Sequence, residues 1–448
     1  MLSKKTKDRL FPMIPEALEL VARNGSSSPL LANMPSCQLS QGVHLIDQQT
    51  LIDRANEMKR HIWPDGGGTN LFAVKGQPNH WVLKTLLDAG FGLDCSSPTE
   101  IWDAAKVGTN GHPVMYTANA TPWEHLEYAR QNGAILNLDD DCYLDELSGK
   151  MPQIISFRVN LAKARQDGQS KIIGKATKQK YGVPVGRLIE AFRKAKKLGI
   201  KNFGLHTMYA SNCRSWETHA KTLEILLGLA LQLEAALGIK LVFINAGGGI
   251  GVDYKHPDDQ SIKYGEDDKP FNLEMYGADA NRQLAEFESV HGWRPVLYLE
   301  CARYVAAPAG IWVAPIISVT QKYRRFACMA ACDGADLLRA GIYPAHHHIV
   351  VLDKDFQEVK DRKIIRQSIV GPLCENIHAV SQRLLPEIRV GDHVVFSDTG
   401  CHGIEMGMNY NGWTKSGQVM HLAGGGLQLI SLPQTIADIR SLQVPLNQ

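Results

Sequence analysis

A chain of 448 residues, 44% hydrophobic and 21% charged, is long enough for two or three domains with full-sized cores and has the composition of an ordinary soluble globular protein. Its 48 basic and 46 acidic residues leave a formal net charge of +2, too weak a field to draw it to nucleic acid or anionic lipid, so small-molecule chemistry is the expectation. Nine cysteines, an odd number without a CxxC pair, argue against a disulfide framework or a structural zinc and fit reduced thiols in a cytosol.

From the N-terminus, Lys4, Lys5, Lys7 and Arg9 precede a stretch to Arg23 that is broken by Pro12, Pro15, Glu16 and Glu19, and no signal-peptide apolar region is present. A regular strand-then-helix pattern starts around Val43, with Gly66-Gly67-Gly68 as a loop before the first strand. Strands are predicted near 71–75, 91–95, 113–117, 134–138, 154–159, 202–207, 240–245 and 295–300, and eight is the number that closes a parallel barrel. Helices with apolar residues at three- and four-residue spacing are predicted at Trp81–Ala89, Pro98–Val107, Pro122–Gln131, Arg187–Leu198, Thr218–Leu237 and Ala280–Val290. Several stop at a glycine, among them Gly90 and Gly238. The most apolar of them, from Leu223 to Leu237, carries Glu224, Gln232 and Glu234 and is too short and polar to span a bilayer.

After Gly310 the texture changes to strand-like runs at Ile311–Val319, Phe326–Ala331, His348–Leu352, Lys363–Val370, His393–Ser397 and Gly417–Leu422. The expectation is an α/β chain with a (β/α)8 barrel over 41–310 and a second, β-rich domain of sandwich or barrel type. Residues 1–40 are expected to join residues 311–448 in that second domain.

Chemistry is expected where the barrel strands end. Lys75 closes the apolar run Leu71 to Val74 and is a candidate Schiff-base former. The run Asn245-Ala246-Gly247-Gly248-Gly249-Ile250-Gly251 follows the seventh strand, where glycines let backbone N–H groups approach a phosphate closely. Glu300 ends the eighth strand, and a carboxylate facing a pyridine nitrogen keeps that ring a strong electron sink. An amine, a phosphate cradle and a carboxylate together suit pyridoxal 5'-phosphate.

At this point the sequence resembles the fold-type III pyridoxal-phosphate-dependent decarboxylases, most of all the diaminopimelate decarboxylase branch, from about Val43 to Asn411. Phe72-Ala73-Val74-Lys75-Gly76-Gln77-Pro78-Asn79 is similar to the family's lysine motif, and Gly92-Leu93-Asp94-Cys95-Ser96-Ser97 to the segment whose Asp lies near the imine. Phe157-Arg158-Val159-Asn160 and Lys180-Tyr181-Gly182 resemble its RxN and KFG segments, and Glu300-Cys301-Ala302-Arg303 stands where the family has EPGR. In the second domain, Cys332-Asp333-Gly334 and Asp336 to Tyr343 look like DAG…DLIRPALY, and Gly371-Pro372-Leu373-Cys374-Glu375 matches GPLCE. His346, His347 and His348 follow. No metal is expected there, because adjacent side chains on a strand diverge and the resemblance implies a non-metal histidine pair.

The resemblance implies a homodimer with active sites shared across the interface, catalysis by Lys75 and Cys374, and Cys374 as the acid that reprotonates Cα. It implies cofactor contacts from Asp94, Arg158, Met208, Ser211, Gly247, Gly248, Gly249, Glu300, His402 and Tyr410. Arg303 and Arg339, with Tyr343 and Glu375 nearby, stand at positions that grip a distal carboxylate, a task suited to a planar guanidinium. The expected activity is therefore decarboxylation of an amino acid with a second acidic end. Two departures mark this chain: Met208 replaces a ring-stacking histidine in Gly204 to Asn212, and His402 replaces a phosphate-binding tyrosine in Thr399 to Gly403. The other readings are a racemase on the same barrel, which needs two bases and carries no GPLCE segment, and an inactive decarboxylase-like binding protein, which need not keep Lys75, Glu300 and Cys374.

Overall fold

The computed structural model describes residues 2–25, 41–109, 111–147, 151–161, 178–257, 259, 269–343 and 345–444. They form two compact units, one of Ile52–Val252 and Lys269–Val305, the other of Met1–Leu51, Asp253–Asp268 and Ala306–Gln448.

The first unit is a closed barrel of eight parallel strands: Gly68–Ala73, Gly92–Cys95, Val114–Thr117, Ile135–Leu138, Ile154–Asn160, Asn202–His206, Phe243–Asn245 and Val296–Leu299. Closure comes from Leu297 pairing with Gly68, and the two-residue strand Val183–Pro184 adds to Ile154–Asn160 outside the ring. The strands are short and largely apolar because both of their faces are covered. Leu71, Met115 and Phe243 meet in one buried cluster of the barrel. Between the strands run helices that turn one stripe inward: Val185–Lys197 buries Leu188, Ala191, Phe192 and Ala195 at helical spacing. Side-chain caps start several of them, Asn79 accepting from Trp81 N, Ser97 from Glu100 N and Ser215 from Thr218 N. Gly238, left-handed at φ 66°, ends the 22-residue helix Trp216–Leu237.

The second unit holds a nine-stranded sheet. Its long central strand, Gly310–Gln321, pairs antiparallel with Val43–Asp47 and His393–Ser397 through its first half and with Arg325–Met329 through its second. Because side chains alternate, this one strand feeds two cores. Trp312, Ala314 and Ile316 join Leu337, Val351 and Phe396 on one face. Ile311 and Val313 face the other way, where the helices Lys4–Leu10 and Ile14–Gly25 lay down Leu10, Ile14, Ala17 and Val21.

Three expectations need correction. Val43–Asp47 does not open the barrel but lies between Gly310–Gln321 and Gly417–His421 in the sheet, so the span 41–310 overruns the barrel unit at both ends. Alternation of apolar residues cannot say which sheet a strand joins. The N-terminal stretch, where no helix was predicted, forms Lys4–Leu10 and Ile14–Gly25, with Pro12 and Pro15 each in the first turn of its segment, where no backbone N–H is needed. Strands Val380–Pro386 and Leu427–Ser431, and helix Gln48–Ile62, were not expected at all. Of residues 1–40, 26–40 lie outside the described residues.

Candidate active site

The C-terminal ends of the barrel strands carry the polar groups. Arg158, His206 and Asn245 are in register across three neighbouring strands, and Tyr298, two residues before Glu300, pairs with Asn245. Asp94 pairs with Ala73, two residues before Lys75. Lys75 itself lies one step further than expected, in the 3-10 turn Val74–Gly76 beyond the strand, and is exposed. Pro78 follows and disfavours helix at Gln77, and Asn79 then caps the helix His80–Asp88, so the turn is fixed on both sides.

Glu300 is the best-held group. Asn245 Nδ2 donates to its Oε1 at 2.7 Å, and His206 Nε2 lies 3.2 Å from each of its oxygens. Burial alone would raise its pKa, but the charge and hydrogen bond of His206, with Lys75 and Arg158, outweigh it and hold the carboxyl below the usual range. Asp94 goes the other way. Burial and the nearby negative charge of Glu300 push it well above the carboxylate range, against the opposing pull of Lys75 and a hydrogen bond from Thr117. The two buried carboxyl groups are thus shifted in opposite directions by their surroundings.

The glycine run interlocks with Glu300. Glu300 N donates to Gly247 O at 2.9 Å, and Gly247 N to Asn245 Oδ1 at 2.9 Å. A Cβ at Gly247 would stand 2.2 Å from Thr207 O, one at Gly248 2.2 Å from Glu300 O, and one at Gly249 2.1 Å from Ala210 O, so only glycine permits the close approach. Met208 lies against this loop, its Sδ accepting the Gly248 N–H at 3.4 Å. Ser211 sits beside Gly249, and the loop is pinned by Cys213 N to Gly249 O at 2.9 Å.

Arg158 is buried, with Nη1 donating to Asn119 Oδ1 at 3.2 Å and its guanidinium 3.9 Å from the centroid of the Tyr181 ring. Arg303 is buried in the barrel unit, in the helix Arg303–Ala306.

The remaining expected residues belong to the sheet unit. Cys374 is exposed, its N–H donating to Asn411 Oδ1 at 3.0 Å and its Sγ 3.8 Å from the Tyr410 hydroxyl. The Cys374 and Glu375 side chains raise the Tyr410 phenol. Arg339 is buried with its guanidinium 5.3 Å from the Tyr254 ring, Tyr343 is exposed, and His402 adopts a positive φ of 57°. The three histidines part company: His346 pairs with Asp259 at 3.1 Å, His347 Nδ1 meets Ser397 O at 2.8 Å, and His348 stacks on His256. Among the described residues no group of His, Cys, Asp and Glu could hold a metal. No helix among them is long and apolar enough to cross a membrane.

Sequence reasoning placed Asn245 at the start of the glycine run but gave it no role toward Glu300, and it assigned no role to His206 or Asn70. A signal was there for His206 and Asn245, since both end a barrel strand as Glu300 follows one.

Residues 49–307 match the family described as pyridoxal-dependent decarboxylase, pyridoxal binding domain, and residues 303–400 match pyridoxal-dependent decarboxylase, C-terminal sheet domain. Protein TabA of Pseudomonas amygdali pv. tabaci is 30% identical over 400 residues, covering 88% of this chain and 89% of that protein. The diaminopimelate decarboxylase of Methanothermobacter thermautotrophicus is 27% identical over 409 residues, covering 90% of this chain and 92% of its own. Among solved structures, diaminopimelate decarboxylase from M. jannaschii in complex with L-lysine shares the fold with a TM-score of 0.81 at 21% identity, over 96% of this chain and 94% of that one.

Proposed function

The chain belongs to the pyridoxal-dependent decarboxylases, and from that membership we propose that it removes the α-carboxylate of an amino acid whose other end is also acidic, working as a homodimer. The cofactor is pyridoxal 5'-phosphate, and the barrel residues fit it. Asp94 Oδ1 and His206 Nδ1 are buried polar atoms with no hydrogen-bond partner among the described residues, and the three glycines pack the loop against neighbouring backbone where no Cβ fits. We assign Lys75 Nζ as the covalent tether, Gly247, Gly248, Gly249 and Ser211 as phosphate contacts with His402 and Tyr410, and Glu300 as the partner of the ring nitrogen. Asp94, Arg158 and Met208 complete the wall.

The bound cofactor supplies an electron-withdrawing ring that accommodates the electron pair left on Cα. The bond from Cα to the carboxylate breaks, carbon dioxide leaves, and a proton from Cys374 Sγ forms the new C–H bond before solvent restores the thiol. Buried Glu300, hydrogen-bonded by His206 and Asn245 and lowered in pKa by His206, is the observation that supports this reading most strongly. Cys374 is exposed in the single chain, which suits a group that serves the partner's site. Arg303 and Arg339, both buried, carry the planar forks that we assign to a second carboxylate, with Tyr343 and Glu375. The described cysteines are all free thiols, consistent with the cytoplasmic setting we assign. A racemase has no comparable support, since both matched families are decarboxylases.

Carbon dioxide release from a panel of amino acids, with and without a distal carboxylate and in both stereochemical forms, tests the substrate. Release from diacidic members is the expected result. Release from ornithine or lysine with none from diacidic compounds overturns the assignment of Arg303 and Arg339.

A further inference from the structure

We propose that His206 is a positioning residue of this site: by donating from Nε2 to Oε2 of Glu300, with Oε1 equally near, it holds that carboxylate in the orientation presented to the cofactor. The inference rests on the reading that Glu300 partners the ring nitrogen.

His206 is the last residue of its strand and is 1% exposed, while the Glu300 side chain is 6% exposed. The strand register sets His206 beside Asn245, so two donors from adjacent strands converge on one carboxylate. A carboxylate offers about four lone-pair sites, so these bonds orient it and still leave capacity for one further donor. His206 Nδ1 is buried without a partner among the described residues, and Nε2 is the ring nitrogen within hydrogen-bond reach of Glu300.

Asp94 lacks such support. Its Oδ1 has no partner among the described residues, and the hydroxyl of Thr117 is the hydrogen bond that favours its charged form. Burial and the charge of Glu300 raise Asp94, whereas the charge and hydrogen bond of His206 lower Glu300.

The test compares His206→Leu, which removes the donor, His206→Gln, which returns an amide N–H at similar reach, and Glu300→Gln, all in the cofactor-loaded enzyme. The readouts are the absorption spectrum of the bound cofactor, its dissociation constant, kcat and KM. His206→Leu is expected to lower kcat roughly 10- to 100-fold, the worth of one hydrogen bond to a charged group, with KM changed less than about threefold. Its spectrum should move in the direction set by Glu300→Gln, and His206→Gln should recover most of both. A Leu variant with the kcat and spectrum of the unaltered enzyme overturns the proposal, as does a Gln variant no better than Leu. Should the Leu variant fail to fold, a Gln variant with the spectrum of Glu300→Gln overturns it equally. If Glu300→Gln itself changes neither spectrum nor turnover, the reading of Glu300 is what fails.

Discussion

Asn70 and Cys301 exchange two hydrogen bonds inside the barrel, Asn70 Nδ2 donating to Cys301 O at 3.1 Å and Cys301 N donating to Asn70 Oδ1 at 2.7 Å. The amide thereby satisfies both backbone groups of the residue after Glu300, where the eighth strand has ended and ladder bonds are no longer available. Asn70 sets the direction of the chain just past the carboxylate without being a candidate ligand itself.

Replacing Asn70 by Ala strands both Cys301 groups in a buried site. The expected loss is about 3 kcal/mol of stability, from two unsatisfied groups at roughly 1–3 kcal/mol each. Urea unfolding checks it, and a loss below about 1 kcal/mol would show that the backbone finds other partners.

Asp94 and Glu300 should respond unequally to amide substitution, because burial and Glu300 push the Asp94 carboxyl upward while His206, Lys75 and Arg158 pull Glu300 below the usual range. Asp94→Asn removes a charge that its surroundings disfavour, so stability at pH 7 should change by less than about 1 kcal/mol and the cofactor dissociation constant by less than about threefold. Glu300→Gln removes a charge the site is built around. Equilibrium dialysis of the two variants decides, and equal weakening in both would remove the asymmetry.

Much of this arrangement could be read from the chain, and the misses have physical causes. Each barrel strand lies within three residues of its expected start because a buried parallel strand is a short apolar run between helix signals, as at Leu93 or Phe157. Lys75 was misplaced by one turn, since nothing local says that the strand stops at Ala73. His206 was given no role, because a bond to a residue 94 positions away leaves no periodic trace. The N-terminal helices were not predicted, although Pro12 and Pro15 each stand in a first turn, where proline is compatible with helix.

Gly248→Ala should be far costlier than alanine at a glycine that only turns the chain. The new Cβ would sit 2.2 Å from the carbonyl oxygen of Glu300, a backbone atom that cannot swing aside. Overpacking of this kind costs about 1–3 kcal/mol or more and should also displace the loop, so cofactor affinity falls along with stability. Gly426→Ala is the control: its φ is 83°, but nothing stands within 4 Å of the added atom. That variant should lose only about 1 kcal/mol and none of its affinity. Fluorescence titration with pyridoxal phosphate separates the two, and an unaffected Gly248→Ala would remove the steric claim.

Asp47 makes the sheet unit sensitive to acid. Burial would raise its pKa, but Arg9, Thr50 and His421 overcome that and depress it. Arg9 donates from Nε at 2.9 Å and Nη2 at 2.6 Å, fastening the N-terminal helix to strand Val43–Asp47. A depressed carboxyl stabilises the fold above its unfolded pKa of about 3.9, and the contribution is lost as pH falls through the folded value. Asp47→Asn should therefore cost about 2 kcal/mol at pH 7, and the gap to the unaltered protein should close below about pH 4. Chemical unfolding at several pH values tests it; a gap independent of pH would mean that the charge contributes nothing.

Glu405 carries the opposite sign. Both of its carboxyl oxygens are buried, and burial pushes the group up to about 8 against the backbone N–H groups of Glu405 and Gly403 and the nearby Lys415. At any pH between its unfolded value, near 4.5, and about 8, the folded chain holds a proton that the unfolded chain has released. Stability is then greatest below the unfolded pKa and falls as pH rises toward 8, at a limiting slope of about 1.4 kcal/mol per pH unit. Glu405→Gln removes the titration while keeping the shape of the neutral acid. It should be more stable than the unaltered protein by about 4 kcal/mol at pH 8, with the two equal near pH 4.5. Urea midpoints across that range give the answer, and parallel curves for the two proteins would mean that Glu405 is ionised in the fold after all.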